Sequence, residues 1–355
     1  MKDKIIIVCV ILILFPCISR PQSHEDPLKR WKEWLNEFPL PEDAIELELR
    51  FSFPSEELES EGIYIANVLR MSKDDGGNIY LGDLKLQQVF IFDSQGNFIK
   101  KVGKPGEGPG DFILPAVIMT NNESIIVKEF NRLQFFNKNW ETIKTVKPAK
   151  LYKNIKIGNE GYFYAIPSLS PAQIELIEVL SQDGKILRAF GEPLEFKEDK
   201  STLNWLSLDL SNKQELYVAF EFFPIIRKYS AGGKLIFEKK LENELMLKKE
   251  KRNLKSLATP RKGGRARGYM PVIHSIRTCD DGFYIMSRYP RLEIWLFDEM
   301  ANLKKTYWCN RGMRYFVKDF IYMKKDDEIL FYVVSNYPNH RVDVYGIKKY
   351  GSSPI

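Results

Sequence analysis

The densest chemistry in the chain is a cationic run. Between residues 248 and 267 (KKEKRNLKSLATPRKGGRAR) nine residues are basic: Lys248, Lys249, Lys251, Arg252, Lys255, Arg261, Lys262, Arg265 and Arg267. Only Glu250 is acidic there, so the run carries +8 while the whole chain carries +6, and the basicity is local. Cations spaced this closely favour an anionic partner: an acidic glycan, a lipid headgroup or an acidic protein. The competing reading is a solvated loop.

Other candidate chemistry is sparse. Histidine occurs only at His24, His274 and His340, and no CxxC or His/Cys cluster is present, which disfavours zinc. No GxSxG nucleophile elbow occurs. The glycine-rich stretch 103–111 (GKPGEGPGD) resembles a phosphate cradle, yet FILPAVIM follows it as a strand, whereas an anion cradle needs a helix N-terminus. It reads instead as a connector whose glycines permit positive φ and whose Phe112 anchors the next strand.

Several elements must position these residues. Lys2 and Lys4 precede the apolar run 5–15, too short to span a bilayer, so residues 1–19 are expected to be a signal peptide and the protein periplasmic or secreted. Cleavage after Ser19 competes with lipidation at Cys17, which would anchor the chain to the envelope, and with an uncleaved anchor. Beyond the leader only Cys279 and Cys309 remain, free or paired. Residues 20–43 form a linker and an amphipathic helix over 27–38, with Leu28, Trp31, Leu35 and Phe38 on one face and Trp34 beside it. That helix is expected to dock on the main domain, with a membrane-surface role as the alternative.

The main domain is repetitive. Residues 78–103 (NIYLGDLKLQQVFIFDSQGNFIKKVG) read as strand, turn, alternating strand, tight turn and strand. Aligning Asp93 with Asn137, Ser181, Ser230 and Asp298 gives steps of 44, 44, 49 and 68 residues, the length of a four-stranded blade with one insertion. The last unit shows two strands, EILFYVVS and HRVDVYGI, and lacks an outer one. Residues 44–53 (AIELELRFSF) form a spare strand that would close the ring. The predicted fold is all-β: a six-bladed β-propeller over 44–350, closed by an N-terminal strand, with a partly helical basic insertion at 242–268.

The pieces GNIYLGD, VFIFDSQGNFIKKVG and GKPGEGPGDF resemble NHL-repeat propellers of bacterial exported type. The arginine usual before the second strand's apolar run stands at Arg132 and Arg341 and is replaced by Gln88 in the first blade. The resemblance implies a binding or scaffold propeller, monomeric, without a cofactor, and with nucleic acid an unfavoured partner. It also implies an alternative: gluconolactonase-like propellers hold a divalent cation such as Ca2+ in the central channel. Asp83, Glu129 and Glu221 are the residues for such a metal-dependent hydrolase or lactonase. Surface charge is the competing reading of those three acids.

Overall fold

The computed structural model describes residues 27–121, 123–168, 174–260, 267–311, 316–325, 328–336 and 340–348. The leader, Cys17 and His24 lie outside the described residues, as do Arg261, Lys262 and Arg265.

The repeat begins at its turns. Asp93, Asn137, Ser181, Ser230 and Asp298 each donate a backbone N–H to the carbonyl four residues on and accept one from the N–H three residues on. The fourth residue of each turn takes positive φ: Gly96, Trp140, Gly184, Gly233 and Ala301. A shared left-handed residue fixes one hairpin geometry five times, and so sets the register of the strands on either side.

Four antiparallel strands make each blade. Blade one is β2 (Val68–Lys73), β3 (Ile79–Asp83), β4 (Gln88–Phe92) and β5 (Phe98–Val102). Blade two is β6 (Val117–Thr120), β7 (Ile125–Lys128), β8 (Leu133–Phe136) and β9 (Thr142–Val146). Blade three is β10 (Tyr152–Ile157), β11 (Phe163–Pro167), β12 (Ile177–Leu180) and β13 (Ile186–Phe190). Blade four is β14 (Leu206–Leu210), β15 (Leu216–Phe220), β16 (Ile225–Tyr229) and β17 (Leu235–Lys240). Blade five is β18 (Ser275–Cys279), β19 (Gly282–Ser287), β20 (Leu292–Asp298) and β21 (Leu303–Cys309). Cys279 and Cys309, on its first and fourth strands, are free thiols.

Blade six corrects the sequence reading in one respect. It has three strands of its own: β22 (Val317–Lys325), β23 (Glu328–Ser335) and β24 (Arg341–Ile347). The spare strand β1 (Ile45–Phe53) is its outer strand, antiparallel to β24 from Leu47↔Ile347 to Phe53↔Val342. Side chains lock this closure. Ser52 Oγ donates to Asp343 at 2.6 Å, Arg50 bridges to Glu328 at 2.6 Å, and buried Asp343 pairs with Arg311 and with Arg341.

The seams between blades hold the core. Six buried apolar clusters occur among the described residues, one in each seam, and Phe53 of β1 sits in the cluster joining blade six to blade one. Second strands such as β3, β7 and β11 are buried throughout, whereas outer strands β5, β9 and β13 are mostly exposed. Continuous apolar runs on second strands therefore follow from packing on both faces.

The glycine-rich stretch is a connector, as its sequence context implies. Arg132 reaches into it and donates to the carbonyls of Glu107 (2.5 Å) and Asp111 (2.9 Å), so the loop presents carbonyls rather than N–H groups. Phe112 is fully buried, and a Cβ at Gly103 would lie 2.3 Å from its ring.

Four helices complete the described chain: α1 (Pro27–Glu37), α2 (Glu56–Ser60), α3 (Lys200–Leu203) and α4 (Glu244–Ala258). Trp31, Trp34 and Phe38 of the α1 segment are buried, and the Trp31 indole donates to the Pro290 carbonyl at 2.5 Å. The tryptophan stripe thus docks on blade five. Helix α4 is the insertion; Asn243 caps it by accepting from the Met246 N–H. Among the described residues no helix is long and apolar enough to cross a membrane.

Candidate anion site in the central channel

First strands line the propeller axis, and polar side chains stitch them together. Asp209 of blade four takes Lys156 of blade three at 2.8 Å and the Thr278 N–H of blade five at 2.9 Å. Asp319 of blade six binds Ser275 Oγ at 2.6 Å, Arg277 of blade five, and the Met71 N–H of blade one at 3.0 Å. Acids and cations balance in this layer.

The three acids singled out in sequence stand at the ends of second strands. Two of them are structural. Asp83 accepts from the backbone N–H groups of Ala66, Asn67, Lys85 and Leu86, which uses both carboxylate oxygens. Glu129 accepts from the Ile113 N–H, Arg132 and Gln134. Both carboxylates are thus taken up by hydrogen bonds within the fold. Among the described residues no three His, Cys, Asp or Glu side chains gather in a way that could hold one.

Glu221 differs. Its backbone joins the sheet, with its N–H donating to Trp205 and its carbonyl accepting from Val272 and Ile273, but its carboxylate makes no salt bridge among the described residues. Desolvation pushes that carboxyl up, and Lys153, Arg70 and Arg288 pull it back down. These cations belong to blades three, one and five. In a six-membered ring blades one and four are opposite, so Arg70 and Glu221 can sense each other only across the channel.

Lys318 of blade six extends the group. Burial brings its ammonium down to about 8, with Arg288 adding like-charge repulsion. Burial likewise brings Arg288 down to about 10, and lowers Lys153. Arg70, Lys153, Glu221, Arg288 and Lys318 each keep part of their surface open, as groups facing a channel do. The Lys153 ammonium lies 2.9 Å from the centroid of the Trp205 ring. Arg70 also meets Asp319 at 3.9 Å, while Lys153 and Arg288 make no salt bridge among the described residues, and such a surplus of positive charge in a low-dielectric opening attracts negative charge.

The six-bladed β-propeller description of the DUF5128 family matches residues 60–352. The chain belongs to that family. Among solved structures, a protein described as exported from Bacteroides fragilis shares 13% identity at TM-score 0.58, covering 88% of this chain and 98% of that one. A DUF4221 family member from Bacteroides vulgatus shares 12% at TM-score 0.55, covering 87% and 99%. The calcium-binding protein regucalcin from Agrobacterium tumefaciens shares 8% at TM-score 0.53, covering 86% and 97%. At such identities the likeness is one of fold. No curated protein matches the chain.

In this DUF5128 propeller the insertion's cations are divided by the structure. Lys248 pairs with Glu37 and lies over the rings of Trp34 and Phe38. Arg267 binds Glu198 and Asp199 and clasps the Thr259 carbonyl, tying the two ends of the loop together. Lys249 is fully buried and donates to Ser287 Oγ at 2.6 Å, and burial lowers its ammonium to about 7. That pair has the composition of a serine–lysine nucleophile, but both side chains are fully buried between α4 and blade five. Lys251, Arg252 and Lys255 point outward.

His274, beside Arg288, Lys249 and Lys318, is held neutral by burial and by those three cations. His340 lines a separate open cleft of about 680 Å³ with Glu56, Glu59, Tyr64 and Arg341, between α2 and blade six. The channel cations escaped the sequence reading because each stands singly on its strand or loop. A lysine or arginine inside a first strand, as in VLRMSK and YKNIKI, is the signal that could have marked them.

Proposed function

We propose that this protein is an exported binding propeller that seats an anionic group, a carboxylate or phosphate, at the channel opening. One observation carries the reading: Arg70, Lys153 and Arg288, from three different blades, all act on Glu221, which pairs with none of them. The ring holds these charges apart, and because Arg70 also meets Asp319 at 3.9 Å, Lys153 and Arg288 are the cations that a ligand's negative charge would complete. The outward cations of the insertion raise the local concentration of anions on approach. An acidic glycan, a lipid headgroup or an acidic protein segment would each supply the group, and a monomer suffices. A divalent cation does not suit this seat, since three cations act on its one carboxylate.

Export rests on the leader-like residues 1–19, with the exported description of the Bacteroides fragilis neighbour in the same direction. An NHL-type origin of the blades rests on the wording of residues 78–112 alone.

Trp205 fluorescence provides the test, because Lys153 lies against its ring. Inorganic phosphate and galacturonate are expected to change the emission saturably, and neutral galactose is not. Lys153→Met combined with Arg288→Met should weaken the anions by at least about a hundredfold, since each charged hydrogen bond contributes about 1.5 to 3 kcal/mol. Equal binding of galactose and galacturonate, or an unchanged anion affinity in the double variant, would sink the proposal.

A further inference from the structure

The insertion helix carries a second surface that the channel reading does not use. On α4, Leu247, Lys251, Leu254, Lys255 and Ala258 recur at three- and four-residue steps and so share one face. That face is turned outward: Leu254 is 46% exposed and Leu247 36% exposed, while Lys251 and Lys255 are exposed beside them. The opposite face, with Leu245, Met246, Lys249 and Asn253, is buried on the propeller.

Helix α1 continues the surface. The Lys248–Glu37 pair and the packing of Lys248 and Arg252 over Trp34 hold the two helices side by side. With its tryptophans turned inward, α1 presents Leu28, 43% exposed, together with Lys29 and Lys32. Glu33 lies among them, and Glu242 and Glu244 stand at the far N-terminal end of α4, about two turns from Lys251. The patch is thus leucines framed by a surplus of lysine and arginine. Folding has left both in water, although a soluble surface helix ordinarily turns its leucines in.

We propose that this α1–α4 face rests on an anionic lipid surface. Lysines and Arg252 meet phosphate headgroups while Leu28, Leu247 and Leu254 enter the headgroup–acyl boundary. Charge decides the occupant: a purely apolar partner would leave Lys251, Arg252 and Lys255 unpaired, and a purely anionic soluble partner would leave the leucines in water. Only eleven residues separate the apolar run 5–15 from α1, so any anchor retained at the N-terminus brings this face towards the bilayer. The surface is distinct from the channel seat and does not require it.

Co-sedimentation of the protein as exported with phosphatidylcholine vesicles, with and without about 30% phosphatidylglycerol, tests the inference. Partitioning onto the anionic vesicles is expected at low salt and should fall as salt rises. Lys251→Glu with Lys255→Glu should reduce it at least about tenfold, and Leu247→Ser with Leu254→Ser should reduce it severalfold while keeping its salt dependence. Lys100→Glu with Lys101→Glu, on exposed β5, should leave it unchanged. Equal partitioning onto neutral and anionic vesicles, or an insertion variant that binds like the β5 variant, overturns the proposal.

Discussion

Ring closure by β1 is the feature whose energetics can be worked furthest. Phe53 is 1% exposed, its ring centroid lies 5.0 Å from Phe92 of blade one and 6.5 Å from Tyr332 of blade six, and it shares their seam cluster. Phe53→Ala therefore removes a ring that joins the first blade to the last. Truncating a buried phenylalanine costs about 3 to 5 kcal/mol through lost transfer energy and an unfilled cavity. With an unfolding entropy of about 2.1 cal/mol/K per residue, roughly 300 folded residues give about 0.6 kcal/mol/K, so the melting temperature should fall by about 5 to 8 °C. Ile143→Ala is the control, since that side chain is 58% exposed on outer strand β9 and should cost within about 0.5 kcal/mol. Denaturant unfolding of both variants, compared by midpoint at constant slope, makes the measurement. If Phe53→Ala unfolds within 1 kcal/mol of Ile143→Ala, β1 does not secure the ring.

Further outcomes follow from single residues. Lys128 is 8% exposed, and burial alone lowers its ammonium to about 8. Its folded pKa lies below the unfolded value, so the penalty is full below pH 8 and fades as pH rises towards about 10.5. Lys128→Met should therefore stabilise by on the order of 2 to 3 kcal/mol at pH 7, and a gain that persists at pH 11 would contradict this cause. Gly96 takes φ +82, and a Cβ there would meet Phe53 at 2.9 Å; Gly96→Ala should cost about 2 to 4 kcal/mol in the same denaturant assay. Asp209→Asn breaks the 2.8 Å pair with Lys156 and should cost about 2 kcal/mol or more while leaving phosphate binding intact. Because Cys279 and Cys309 are free, dithiothreitol should leave the melting temperature unchanged.

The blades were legible because turn chemistry repeats where wording does not. Asp93, Asn137, Ser181, Ser230 and Asp298 share an acceptor side chain suited to a tight turn, and that alignment coincides with five identical hydrogen-bond patterns. The positive-φ position was less visible, since Trp140 and Ala301 occupy it as well as glycine. Strand β22 was hidden because Lys318 and Asp319 interrupt its apolar alternation, and Asp319 is spent on tying blade six to Ser275, Arg277 and Met71. Of the acids named from sequence, Asp83, Glu129 and Glu221 look alike as letters. Only their partners separate them: backbone N–H groups bind the first two, and distant cations face the third.

The channel's charge is layered, and the layering explains why it can be cationic at all. Lys153 and Lys156 lie three residues apart on β10, about 10 Å along the strand. At the Lys156 level every cation has an acid: Lys156 has Asp209, and Arg277 has Asp319. At the Lys153 level Arg70, Lys153 and Arg288 act on the single carboxylate of Glu221, and among the described residues only Arg70 of these three forms a salt bridge, to Asp319 at 3.9 Å, so positive charge is in surplus there and its repulsion remains. An open sheet would splay to relieve it. A ring cannot, because each first strand is fixed by seams on both sides, and moving one blade outward would open two buried clusters. The balanced layer and the seams thus hold the unbalanced layer in place. For that reason Asp209→Asn is expected to act on stability and Lys153→Met on anion binding, although both remove a charge from the same channel.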